Sequence, residues 1–440
     1  MSHDALRREL QTAWERSDAL FRLIAPEALS ARPIRLRQPF VFYLGHLPAF
    51  AWNQVCRGVL GCPSLHPDFD ALFERGIDPE DEDAPEAAER GWPPVADVLD
   101  YRDQVRRRLL ESFDGVARRA AEDVLAEKGR IFRLVLDHER MHHETLLYML
   151  QELPHRWKRP PAGLVPLPDG RAGAPRRWVE VAAGTAELGA AFDELDFGWD
   201  NEFPAFTAPV EAFEMESIPV RNRDFAEFVA DGGYLRQDLW APDSWEWLRA
   251  RRQEHPHSWR RDQGSFRVRG VFRDAAFEEA SDWPVQASWS EASAYTRWRG
   301  HRLPTEAQLH RAAYGAPDGG PRPHPWGDDP PSATRANIDF GRWGPAPAGA
   351  HPRGASAWGV QELVGNGWEW TSSLFGPFPG FEAYARTYPG YSRDFFDGRH
   401  YVLLGASWAT DHSLVRRSFR NWFQPNYPYV FAKFRCVRER

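Results

Sequence analysis

The segment Asp137-His138-Glu139-Arg140-Met141-His142-His143-Glu144 sets two imidazoles four residues apart inside a run whose apolar residues recur every three or four positions. Ile131, Leu134 and Val135 precede it and Leu146, Leu147 and Leu150 follow, a spacing that describes a buried helical stripe. Residues at i and i+4 share a helical face, so His138 and His142 are placed to hold one metal ion from a helix packed in a bundle interior. The alternative is a histidine-rich helix whose rings only pack or hydrogen-bond. His143 falls off the pair's face and reads as structural, and Glu144, six residues from His138, reads as a hydrogen-bond partner rather than a ligand. A site needs at least one more ligand, and Phe42-Tyr43-Leu44-Gly45-His46-Leu47 offers His46 in another apolar helical run. A lone histidine there also suits a satisfied core residue. Three neutral imidazoles leave part of an ion's coordination open, which suits iron(II) with oxygen as well as hydrolytic zinc.

From residue 4 to about 155 the apolar spacing stays helical, as in Val95, Val98, Leu99, Val105, Leu109, Phe113 and Val116, and is broken by an acidic, proline-bearing stretch at 77–94. An up-and-down four-helix bundle over residues 1–157 with one long loop accounts for this. From Arg159-Pro160-Pro161 through Arg177 the chain is rich in Pro, Gly and Arg without periodicity, which marks residues 158–177 as a linker. Beyond it, short β-type runs such as Trp178-Val179-Glu180-Val181 and Tyr401-Val402-Leu403-Leu404 alternate with long irregular segments and two brief helices near 222–230 and 290–299. Residues 178–440 are therefore expected to form an α+β domain with little regular structure for its size, in which most of the chain's 20 tryptophans crowd.

Composition limits the function. A chain of 440 residues, 42% hydrophobic and 27% charged, is globular and long enough for two or three domains. No apolar run approaches the roughly 20 residues of a membrane span, and Met1-Ser2-His3-Asp4 lacks the features of a signal peptide, so no membrane partner and a cytoplasmic location are expected. Cys56, Cys62 and Cys436 cannot make a disulfide framework, which agrees with a reducing compartment. A net charge of -8 gives no electrostatic reason to expect nucleic acid, and small molecules are the expected partners.

The second half resembles the formylglycine-generating-enzyme-like sulfatase-modifying domain, a variant of the lectin-like fold. The matching residues are Gly198-Trp199-Asp200-Asn201-Glu202, Pro219-Val220-Arg221-Asn222 with Phe225, Asp231-Gly232-Gly233-Tyr234, Trp283-Pro284-Val285, Arg302-Leu303-Pro304-Thr305-Glu306, Gly365-Asn366-Gly367-Trp368-Glu369-Trp370 and Gly405-Ala406-Ser407-Trp408. The first half, with His46 and the pattern His138, His142 and Glu144, resembles a DinB-type metal-binding bundle. That order of domains is similar to the nonheme iron sulfoxide synthases of ergothioneine and ovothiol biosynthesis and to the related selenoneine synthase. The resemblance implies iron(II) held by His46, His138 and His142, facing a cleft built largely by the second domain. It implies O2 as oxidant and hercynine as acceptor, with a sulfur or selenium atom joined to the imidazole carbon between the nitrogens. Formylglycine-generating enzymes work with paired cysteines near the domain's end; only Cys436 stands here, so oxidation of a protein cysteine is not expected.

Ser418-Phe419-Arg420-Asn421-Trp422-Phe423 matches the family's Arg-Asn-aromatic-aromatic segment, which by this resemblance lies against the substrate. Trp422 and Phe423 would hold a trimethylammonium group by cation–π attraction while Asn421 supplies directional hydrogen bonds, unless the two rings are simply core. Arg417 and Arg420 either hold a substrate carboxylate or, for Arg420, anchor a loop through backbone carbonyls. A phenol suits proton donation because it stays protonated at neutral pH; Tyr391 is the candidate, with Tyr384 as its substitute, although tyrosines of such loops also serve as packing residues. Phe40-Val41-Phe42-Tyr43-Leu44-Gly45-His46 and Phe73-Glu74-Arg75-Gly76-Ile77-Asp78 resemble the selenoneine and ovothiol branches more than the common ergothioneine pattern, and Met141 stands where ergothioneine enzymes often carry Gln. The expected donor is therefore a selenosugar, with cysteine or γ-glutamyl-cysteine as the alternative. Readings from other classes are a zinc DinB-type thiol transferase or hydrolase and a non-catalytic binding protein.

Overall fold

The computed structural model describes residues 3–74, 91–164, 174–317 and 319–439. The chain forms two compact units: Met1–Ala162 together with Ala383–Pro389, and Gly163–Glu382 together with Gly390–Arg440. Most of the acidic stretch expected as a loop at 77–94, and residues 165–173 of the expected linker, lie outside the described residues.

Four long helices build the first unit: α1 (His3–Arg22), α2 (Phe40–Ala51), α3 (Val95–Glu111) and α4 (Arg130–Glu152). In α1 the buried positions Leu6, Leu10, Ala13, Trp14, Ser17 and Leu20 follow the three-to-four spacing of one face, and this face packs along α4. Helix α2 packs along α3 and also meets α4, and all of its 12 residues are buried. Pro48 interrupts its hydrogen bonding, and the chain passes directly into a π-helical stretch, Trp52–Val59.

The segment Ala383–Pro389 belongs to this helical unit, where a single continuous second domain over 178–440 was expected. Gln54 Nε2 donates to Thr387 O at 3.3 Å, Arg386 donates to Gly58 O at 3.0 Å, and Arg386 also pairs with Asp123. A Cβ at Gly58 would lie 2.6 Å from the Thr387 methyl, so only glycine admits this approach. The tie is tertiary and leaves no periodic signal in the sequence.

The second unit is α+β. Helices α5 (Asn222–Ala230) and α7 (Trp289–Trp298) occupy the two regions where brief helices were expected; α6 (Pro242–Arg251) and α8 (Glu306–Tyr314) are additional. Thr305 accepts from Gln308 N and the Gln308 side chain accepts from Thr305 N, a reciprocal cap that starts α8. The strands are β1 (Trp178–Val181), β2 (Gly184–Leu188), β3 (Phe206–Val210), β4 (Phe213–Glu216), β5 (Trp259–Asp262), β6 (Ser265–Val268), β7 (Ala275–Ala276), β8 (Gly367–Leu374), β9 (Tyr401–Ala406), β10 (Asn421–Phe423), β11 (Ala432–Lys433) and β12 (Val437–Glu439). They pair as β1-β4-β12, β10-β9-β8-β11, β2-β3 and β5-β6-β7, with β11 parallel to β8. Trp368 stands opposite Gly405, whose φ of 89° and whose missing Cβ, 2.4 Å from Leu363 O, require glycine. Among the described residues no helix is long and apolar enough to cross a membrane.

Short strands alone would hold this unit weakly, and buried ion pairs join them. Arg435, fully buried, donates to both carboxylate oxygens of Glu369 (2.8 and 3.1 Å) and to the carbonyls of Glu216, Gln361 and Glu362. Lys433 Nζ lies 2.9 Å from the same Glu369. Removing one partner of such a network leaves uncompensated buried charge, which typically costs about 3–5 kcal/mol. Glu369→Ala should therefore lose that much in urea unfolding of the full chain, followed by near-ultraviolet circular dichroism, which reports the buried tryptophans.

Candidate metal centre

His46 reaches inward from α2, and His138 and His142 reach the same point from successive turns of α4. Their Nε2 atoms converge: His46 to His138 is 3.2 Å, and His142 to His138 is 3.2 Å. One ligand atom from each of the three lies within 4.8 Å of the others. His46 Nδ1 lies 2.8 Å from Phe73 O, and since a carbonyl can only accept, the proton sits on Nδ1 and Nε2 presents its lone pair to the centre. Burial pushes the His46 pKa down to about 4, against the opposing effect of the Phe73 bond. Burial also holds His138 and His142 well below the usual imidazole value, helped by the neighbouring rings. The three rings are thus neutral near pH 7, the charge state in which imidazoles bind a cation.

The residues fit a divalent transition metal. Two nitrogens 3.2 Å apart can both lie about 2.1 Å from one ion, the usual metal–imidazole bond length. The set contains no carboxylate or thiolate, so it adds no negative charge and leaves the ion cationic. Aromatic rings shield it: Phe50 stacks on His138 at 3.5 Å and 8°, Phe42 stacks on His46 at 5.1 Å, and Tyr43 lies 5.4 Å from the His142 ring. Behind Phe50 stands Tyr388, ring to ring at 5.3 Å. Phe50 is legible as i+4 from His46 on the same face; Tyr388, 342 positions beyond His46, is not. His143 does not join the triad; its Nε2 lies 2.8 Å from Ser17 Oγ, which also bonds Glu139.

The second unit places the other expected site residues differently. Arg420 is 3% exposed. It donates to Glu306 through Nε (2.8 Å) and Nη2 (3.2 Å), and through Nη1 to the carbonyls of Asn201 and Gly376. These bonds tie the guanidinium to the chain. Arg417 donates to Glu187 at 2.8 Å, and Arg416 pairs with Glu202. Trp422 and Phe423 are adjacent on β10, and successive strand residues face opposite ways. Trp422 stacks on Phe375 at 4.1 Å and meets Tyr391 edge-on at 5.3 Å, whereas Phe423 stacks on Tyr427 at 5.0 Å. The two rings therefore do not form one clamp for a trimethylammonium group. Asn421 Oδ1 accepts from Trp422 N at 2.9 Å. Tyr391 is buried and stacked on Trp199 at 3.8 Å. Tyr384 is half-buried in the Ala383–Pro389 segment of the helical unit, its carbonyl accepting from Arg386 N.

If the triad holds the ion, His138→Ala should weaken metal retention by more than about a hundredfold, beyond the roughly 10–100-fold typical of changes around a ligand. Folding should drop by only about 1–3 kcal/mol, the ordinary range for one substitution. Anaerobic metal analysis after dialysis, paired with thermal unfolding, separates the two effects.

Comparisons with known proteins agree with the two-unit division. Residues 9–146 match the DinB superfamily and residues 166–440 match the sulfatase-modifying factor enzyme 1-like domain. The hercynine oxygenase of Mycolicibacterium thermoresistibile is 37% identical over 416 residues, covering 91% of this chain and 87% of that protein. The hercynine oxygenase of Mycolicibacterium smegmatis is 37% identical over 355 residues, covering 78% of each. Ergothioneine biosynthesis protein 1 of Neurospora crassa is 30% identical over 98% of this chain, which spans 57% of that longer protein. With both domain types in this order and relatives of this kind along nearly its full length, the chain belongs to the ergothioneine-synthase-like family, in which a DinB-type bundle is joined to a sulfatase-modifying-factor-like domain.

Proposed function

We propose that the chain is an iron(II)- and O2-dependent enzyme that joins a chalcogen atom to the imidazole ring of hercynine. The carrying observation is the convergence of three neutral imidazole nitrogens without a carboxylate, in a chain 37% identical to a hercynine oxygenase across 91% of its length. Iron(II) held by three protein ligands with open positions would supply one-electron chemistry with O2. His46, His138 and His142 would hold it through Nε2, and the Phe73 carbonyl fixes the His46 tautomer that makes this possible. Phe42 and Phe50 exclude water from two sides of the imidazoles, which protects a reactive centre from side reactions. The reaction needs a proton, and a phenol hydroxyl suits that task because it stays protonated at neutral pH; Tyr388 joins Tyr391 and Tyr384 as a candidate donor. Tyr388 abuts Phe50, the ring stacked on His138. With a thiol donor the balance closes on one O2. The thiol hydrogen and the ring C–H hydrogen leave with one oxygen atom as water, the carbon–sulfur bond forms, and the second oxygen stays on sulfur.

For the donor, the pairing of Arg416, Arg417 and Arg420 with Glu202, Glu187 and Glu306 supports an uncharged partner over the dicarboxylate γ-glutamyl-cysteine, which needs cationic grips. We therefore read the donor as a selenosugar. The relative named for ergothioneine biosynthesis supports the second reading, a thiol such as cysteine or γ-glutamyl-cysteine.

Mass spectrometry of aerobic reactions with iron(II), hercynine and, in parallel, a selenosugar, cysteine or γ-glutamyl-cysteine tests both levels. A selenium-bearing hercynine adduct only with the selenosugar is expected. A sulfoxide formed preferentially from a thiol moves the chain to the sulfur reading, and activity with zinc alone, or no adduct from any donor, overturns the oxygenase reading.

A further inference from the structure

The helical unit carries two cysteines outside the three-histidine centre. Cys56 sits on the π-helical stretch Trp52–Val59, and Cys62 lies just beyond its end. Gly61, in the left-handed region at φ 70°, turns the chain back, and the Cys62 amide donates to the Cys56 carbonyl at 2.9 Å. Leu60 N and Gly61 N reach back in the same way to Val55 O at 3.1 Å and Arg57 O at 3.2 Å, so three consecutive amides close the turn. With ordinary backbone bond lengths, the 2.9 Å contact keeps the two Cα atoms within about 6.8 Å of each other, inside the roughly 4.4–6.8 Å span of disulfide-bonded pairs. The backbone thus already holds the spacing that a bond between these side chains requires.

The two thiols differ in what reaches them. Cys56 is 2% exposed, whereas Cys62 is partly open to solvent. Burial pushes the Cys56 thiol up to about 12, the nearby Cys62 adds to the rise, and Arg108 opposes it. A buried neutral thiol is inert towards an oxidant in solution, so oxidation begins at Cys62 with Cys56 held behind it. Cys436 belongs to the second unit and is fully buried.

We propose that Cys56 and Cys62 form a redox modification site at which hydrogen peroxide closes a disulfide. The Cys62 sulfur takes one oxygen as the peroxide O–O bond breaks, giving a sulfenic acid and water. The Cys56 sulfur then attacks the Cys62 sulfur, the S–O bond breaks, and the hydroxyl leaves as a second water with the Cys56 proton. Both thiols are oxidised and the peroxide is reduced. In a reducing compartment such a bond is transient and redox-sensing rather than structural. It would strap the π-helical stretch to the turn after it, the stretch from which Gln54 and Gly58 bond to Thr387 and Arg386.

Mass spectrometry of the native full chain treated with hydrogen peroxide, then alkylated and digested with trypsin without reductant, tests this. Arg57 stands between the two cysteines, so trypsin separates them unless a disulfide joins the two peptides. The expected product is that joined pair, about 2 Da lighter than the two reduced peptides together, released by dithiothreitol, with Cys436 still a thiol. Cys62→Ser should abolish it, and in Cys56→Ser the oxidation of Cys62 should advance to the sulfinic acid. Alkylated thiols at both positions after a peroxide dose that oxidises free glutathione would overturn the proposal, as would sulfinic acid at Cys62 of the parent chain with no joined peptide.

Discussion

Helix α4 is buried on nearly every side, from Arg130 to Gln151, and every polar group it carries must therefore find a partner inside the protein. One face presents His138 and His142 to His46. Another presents Glu139 and His143 to the Ser17 hydroxyl of α1, and Arg140 reaches Glu9 of the same helix. These bonds fix the rotation of α4 about its axis, and that rotation decides whether two imidazoles meet the third. Ser17 is thus a structural condition of the centre although it takes no part in it. The partnered faces account for a helix with so many ionisable groups at its core, and the neutral imidazoles form a cluster on it suited to a cation.

The second unit solves a different problem. Its strands are short, seven of its described tryptophans are buried among them, and the segments that connect them are tied by arginine–carboxylate pairs. Arg435 with Glu369, Arg420 with Glu306, Arg416 with Glu202 and Arg221 with Asp224 each satisfy backbone or side-chain groups that regular secondary structure would otherwise satisfy. This use of arginine as a fastener leaves these guanidinium groups engaged by carboxylates of the chain.

The contrast explains what was legible beforehand. His138 and His142 declare themselves through helical periodicity, and the bundle and the irregular α+β unit follow from the change of period near residue 160. His46 is a weaker inference that the Nε2 geometry places beside the pair. Arg420 was ambiguous because a buried guanidinium looks the same in sequence whether its partner is a substrate or Glu306. Trp422 and Phe423 misled as a pair because neighbours in sequence lie on opposite faces once they enter β10. Tyr388 and its segment were invisible in this respect, since nothing local ties residues 383–389 to the helical unit; distant residues such as Asp123, Gly58, Gln54 and Phe50 do. The reciprocal caps at Ser288 and Thr305 were readable as Ser-x-x-Glu and Thr-x-x-Gln, and fix where α7 and α8 begin.

The central claim is that three neutral imidazoles, and no carboxylate of this chain, hold an iron(II) ion. X-ray absorption spectroscopy of the full chain loaded anaerobically with one equivalent of iron(II) tests it most directly. The account predicts the scattering pattern of three imidazole ligands, reduced to two in His46→Ala. A first shell of carboxylate oxygens, or a spectrum unchanged by that substitution, would contradict it.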